Sequence, residues 1–95
     1  MYRNELPETL ALTGGDKLRN IRIQRGLTQG DVCHQAKALA SSRNNEELAL
    51  SISSLSDFET KDRVPSVEKL YSLSLIYELD LLNILSWYGL GPKNH

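Results

Sequence analysis

A series of helix starts and stops runs along this chain, and no stretch sustains the apolar–polar alternation of a half-buried strand. Together these restrict it to an all-α fold. Asp16 stands where it can cap a first helix, which carries Leu18 and Ile21 on one face and stops at Gly26. Thr28 caps a second, with Asp31 completing a capping-box-like start and Val32, Ala36 and Leu39 forming the inward stripe to about Ala40. Ser41-Ser42-Arg43-Asn44-Asn45 is a polar break, and Asn45-Glu46-Glu47 can open a short helical turn. A third helix is expected over 51–60, with Ile52, Leu55 and Phe58 spaced for one face. Val64 precedes Pro65, a position that disfavours helix, so 61–65 reads as a turn. Ser66 caps a fourth helix with Val67, Leu70, Tyr71, Ser74 and Tyr77 on one face and Leu73 and Ile76 beside it. Asp80 caps a fifth, with Leu81, Leu82, Leu85 and Tyr88 inward and Gly89 as its stop. Residues 1–14 read as an arm that includes one helical turn after Pro7, 15–90 as the domain, and 91–95 as a linker-like tail.

At 95 residues the chain has room for one modest core and no separate effector domain, which argues against a small-molecule sensor. Cys33 is the one cysteine, so neither an internal disulfide nor a cysteine-rich metal site can form. The adjacent Cys33 and His34 lack further ligands or a nucleophile's partners at useful spacing, and Cys33 is expected as a core thiol. No Gly-x-Ser-x-Gly elbow, phosphate-cradling glycine loop or paired-carboxylate context is present. The reading is therefore not an enzyme, with no cofactor and no metal. No apolar run follows a basic start, and the stretch from Leu79 to Leu85 is too short to span a bilayer. A soluble protein of the reducing cytoplasm, without a membrane partner, is the expectation.

Net charge is −1, but the charge is segregated along the chain. From Lys17 to Arg43 six basic residues face one acid, for +5, and from Asn44 onward four face eight, for −4. Such a chain can turn a positive face to phosphate while staying near neutral overall. A solvated helix face rich in arginine explains the same numbers.

Five pieces occur in order: the basic helix from Lys17 to Arg25, the Gly26 stop, Thr28-Gln29, Phe58-Glu59, and Pro65-Ser66 ahead of an apolar helix. This set, over roughly 15–88, resembles the lambda-repressor-like (Cro/XRE) helix-turn-helix DNA-binding family. The resemblance implies a compact five-helix domain that binds double-stranded DNA as a transcriptional regulator, as a homodimer, with its third helix in the major groove. The chain departs from the family in length. Gln29 and Glu59 are separated by an insert at about 37–50, and the family's usual glycine in the tight turn is missing. The insert can lengthen the second helix and close with an extra turn, carry Arg43 toward flanking phosphate, or supply a dimer contact.

The resemblance also implies residue roles. Arg22 pairs with Glu59, fixing the first helix against the third and leaving Glu59 unable to repel phosphate. Gln29, in the first turn of the second helix, donates to phosphate. Ser51 joins it as a phosphate contact, and Ile52, Ser53, Ser54 and Asp57 face the bases. Ile52 suits a thymine methyl and Asp57 the N4 amine of cytosine. Lys61 and Arg63 follow the third helix, where the family commonly holds phosphate contacts; Lys17, Arg19 and Arg43 are further candidates, and solvated side chains explain any of these five equally. The third helix carries no Arg, Lys, Asn or Gln, the usual bidentate readers. Specificity then draws on DNA shape and the insert, or the helix reads something other than DNA. A module of the antitoxin or coactivator type, binding a protein on the same fold, is the rival reading. At the far end, Trp87 and Leu90 either anchor a dimer or, for Trp87, fold back to close the core.

Overall fold

Each helix starts at a side chain that accepts from its own first turn, and these caps set the element borders. The computed structural model describes residues 12–90. It holds α1 (Gly14–Gln24), α2 (Gln29–Ser42), a 3₁₀ turn (Glu46–Leu48), α3 (Ile52–Thr60), α4 (Val67–Tyr77) and α5 (Leu81–Ser86). No strand occurs among the described residues, so the domain is all-α with five helices. The arm over 1–11 and the tail over 91–95 lie outside the described residues. No helix among those described is long and apolar enough to cross a membrane.

Two borders differ from the sequence reading. Thr13, not Asp16, caps α1: its Oγ1 accepts from the Asp16 N–H at 3.0 Å, while Asp16 Oδ2 accepts from the Thr13 N–H at 3.1 Å. Asp16 is the third residue of that box rather than its cap, and Gly14 and Gly15 form the first helical turn. Helix α1 therefore begins at Gly14, behind its Thr13 cap. At α2 the expected Thr28–Asp31 box is present: the Asp31 N–H donates to Thr28 Oγ1, and the Thr28 backbone N–H donates to Asp31 Oδ2, which with the Thr28 hydroxyl holds that carboxyl below its usual range. The helix runs two residues past Ala40, to Ser42.

After α2, which runs on to Ser42, the chain closes with the 3₁₀ turn. Asn44 turns the chain through the left-handed region (φ 52°), and Asn45 caps the 3₁₀ turn by accepting from the Glu47 N–H. Leu48 and Leu50 then enter the interior. Helix α4 satisfies the carbonyls of this segment. The buried Ser72 hydroxyl donates to the Leu48 carbonyl at 2.6 Å, and Lys69 Nζ donates to those of Glu47 and Ala49 at 3.0 and 2.8 Å. A polar stretch can thus cross the domain without stranding backbone groups.

Leu18, Val32, Ala36, Leu50, Leu55, Phe58, Leu73 and Tyr77 form one core cluster drawn from α1, α2, α3, α4 and the segment before α3. Val67 and Leu82, expected inward, are 56 % and 52 % exposed. Val67 lies in the first turn of α4, which overhangs a shallow hollow shared with Arg43, Leu48, Tyr71 and Leu81. Helix α5 is too short to bury a long stripe; Ile84 is its one fully buried side chain, with Leu85 only half-buried. Burial pushes the Tyr77 phenol well above its ordinary range and that of Tyr88 up to about 12. Arg25 Nε donates to the Tyr77 carbonyl at 3.0 Å, closing the end of α4 from the end of α1.

Candidate nucleic-acid interface

One guanidinium organises the edge where α1, α2 and α3 meet. Arg22 Nε donates to Glu59 Oε2 at 2.7 Å and Nη2 to Oε1 at 2.9 Å, a two-pronged pair. Its Nη1 donates to the Leu27 carbonyl at 2.9 Å, which fixes the loop between α1 and α2. Gln29 Nε2 adds a bond of 3.2 Å to Glu59 Oε1. The Glu59 side chain is 1 % exposed and that of Arg22 12 %, so the pair lies largely out of water. Hydrogen bonding to Glu59 raises the Arg22 pKa beyond its already high value, despite partial burial. The carboxylate charge is thereby matched, and the start of α2 is tied to the end of α3. Gln29 keeps a second amide hydrogen for another acceptor.

The close approach of α1 to α3 depends on Gly15. A Cβ there would lie 2.3 Å from the Phe58 carbonyl oxygen, and one on Gly14 would meet the Tyr88 ring at 2.4 Å. In the sequence the Gly14-Gly15 pair reads as a break, since glycine disfavours helix. Here both are helical, and the bare Cα of Gly15 admits the α3 backbone while that of Gly14 admits the Tyr88 ring.

Helix α3 buries Leu55, Phe58 and Glu59 and turns its other positions outward. Ile52 and Ser53 are exposed and Ser54 is half-buried. The outward rows are Ile52–Ser56–Thr60 and Ser53–Asp57, so Ser56 and Thr60 belong to this face beside the residues expected from sequence. The i, i+4 spacing from Ile52 was the available signal. Thr60 spends its hydroxyl proton on the Ser56 carbonyl at 2.7 Å. Ser51 is the helix cap: its Oγ accepts from the Ser54 N–H at 3.0 Å, leaving the hydroxyl proton as a donor.

The candidate phosphate contacts do not converge on one surface. Lys61 and Arg63 stand where α3 ends and both engage Asp57. Lys61 Nζ is 3.4 Å from Oδ1, and Arg63 Nη1 donates to Oδ2 at 3.2 Å. Arg63 also lies over the Phe58 ring, 5.8 Å from its centroid. Asp57, expected to face a base, thus holds two cations. Arg43 donates to the Tyr71 hydroxyl at 2.6 Å and lies over that ring. It stands at the far end of α2, about 20 Å along the helix from Gln29 at about 1.5 Å per residue. It is therefore removed from the set around Gln29. Lys17 lies over the Trp87 ring at 5.9 Å, so it faces α5, and Arg19 is exposed on α1.

Trp87 is half-buried and packs against the core at the domain's end, and Leu90 is 42 % exposed. Cys33 is also half-buried against the core, and burial pushes its thiol up, which makes it a poorer nucleophile. Among the described residues no cluster of three or more His, Cys, Asp or Glu side chains could hold a metal ion. Compared with protein-family models, curated proteins and solved structures, the chain matches none.

Proposed function

We propose that this chain binds double-stranded DNA as a transcriptional regulator of the lambda-repressor-like (Cro/XRE) type, with α3 in the major groove. The observation that carries the reading is the Arg22–Glu59–Gln29 network. It fixes α3 on its inner side, neutralises the one buried acid near a phosphate-facing edge, and aligns the Gln29 amide at the positive end of α2. Small side chains on the outward rows, with Ile52 for a thymine methyl, permit close approach to base edges. Gln29, Ser51, Lys61 and Arg63 supply the phosphate contacts and set the register. Two copies reading two half-sites complete the reading, with the exposed Leu82 and Leu90 of the α5 end as the apolar anchors between them.

Fluorescence anisotropy on pooled genomic duplex fragments at two salt concentrations tests this. The wild type is expected to bind with strong salt dependence. A variant carrying Gln29→Ala, Lys61→Ala and Arg63→Ala should bind at least about tenfold more weakly, its log–log salt slope shallower by about 1.8 for the two lost cations. Absence of salt-sensitive binding by the wild type overturns the reading.

A second reading has its own support. Helix α3 carries no side chain that bonds a base in a two-pronged way, and Ala38, Leu39, Leu75 and Ile76 line an apolar hollow between α2 and α4. A protein-binding module of the antitoxin or coactivator type fits those features. It predicts no duplex binding, with or without the substitutions.

A further inference from the structure

Asp57 is badly placed for helix stability. It lies in the last turn of α3, where the negative end of the helix dipole disfavours an anion. Glu59 shares that turn, but its charge is buried against Arg22. Asp57 instead sits on the outward row with Ser53, its side chain 26 % exposed, and each oxygen engages a different cation. Those cations, Lys61 and Arg63, are 69 % and 60 % exposed and can swing away at little cost. They are also the two that the DNA reading assigns to phosphate.

We infer that Asp57 is a specificity-determining residue that acts as an internal counter-anion. It occupies Lys61 and Arg63 in the free protein, and it disfavours duplexes that offer its carboxylate no donor once the cations move to phosphate. The major groove presents few hydrogen-bond donors: the N4 amine of cytosine and the N6 amine of adenine. Where one of these faces Asp57, the carboxylate exchanges its cations for a base amine and both cations reach the backbone. Elsewhere it is left unpaired beside the phosphates, and binding is weakened. The inference rests on α3 being the major-groove helix.

The test compares wild type with Asp57→Asn on the pooled duplex fragments and on a high-affinity duplex selected from that pool. The asparagine keeps the shape, and circular dichroism with urea unfolding verifies that the fold is retained. The variant should bind the pool roughly three- to tenfold more tightly at low salt, with a salt slope steeper by about 0.9. The preference for the selected duplex over the pool should fall by a similar factor. In a Lys61→Ala, Arg63→Ala background the gain from Asp57→Asn should shrink to the part that comes from relieved repulsion, because no cation remains to be released, and an undiminished gain would overturn the counter-anion role. If the wild type binds DNA but Asp57→Asn leaves pool affinity unchanged or lowers it, the counter-anion role is wrong and the DNA reading stands. Failure of the wild type to bind at low salt overturns both.

Discussion

Arg22→Met should destabilise the domain by about 3–5 kcal/mol, because it strands a buried carboxylate. Glu59, with a side chain 1 % exposed, loses its two strong donors and keeps one neutral bond from Gln29 at 3.2 Å. The Leu27 carbonyl loses its Arg22 donor as well. For a chain of this length total stability is on the order of 5–14 kcal/mol, so the variant approaches the limit of folding. Urea unfolding near neutral pH measures the loss. Arg22→Lys should fall between the two, since an ammonium restores charge but cannot form the fork. A double substitution, Arg22→Met with Glu59→Gln, identifies the cause. Removing the stranded charge should recover part of the loss, whereas no recovery would mean that lost packing, not the stranded charge, dominates.

Gly15→Ala carries the second large effect. Its Cβ would lie 2.3 Å from the Phe58 carbonyl oxygen, a backbone atom that cannot rotate away. Either α1 lifts off α3 or the end of α3 bends, and both disturb the Arg22–Glu59 pair. Alanine improves helix propensity by about 1 kcal/mol, which opposes the clash. Overpacking against backbone outweighs it, for an expected net loss of about 2 kcal/mol in the urea midpoint analysis. Gly14→Ala is the internal comparison. It meets Tyr88 ring atoms at 2.4 Å, a side chain near the end of the described chain that can shift. Its cost should be smaller, and equal costs would argue against the backbone contact at Gly15 as the cause.

These residues also show what sequence can and cannot disclose. Caps are local, so Thr28, Ser66, Asp80 and the left-handed Gly26 and Gly89 were legible, and with them the five helices. Gly14 and Gly15 were not, because their reason is the approach of α3 and Tyr88, far away in sequence. Glycine's local preference pointed the other way. The polar segment after α2 was legible as a break but not as a packed segment. Its carbonyls are satisfied by Lys69 and Ser72, two polar residues of α4 that carry no such mark. The Arg22–Glu59 contact came from a resemblance and not from periodicity. Exposed cations were the least legible. Arg43 meets Tyr71 across 28 positions, whereas the Lys61–Asp57 contact follows i, i+4 spacing and was open to inspection.

On the proposed reading, the face made by Gln29, Ser51–Ser53 and Lys61 meets duplex DNA. Amide chemical-shift mapping of the isotope-labelled protein, titrated with a duplex selected from the genomic pool, tests this. The largest changes are expected at Gln29, Gly30, Ile52, Ser53 and Lys61, with little movement at Ala38, Leu75 and Ile76. No change at saturating duplex, or changes confined to the hollow between α2 and α4, would contradict it.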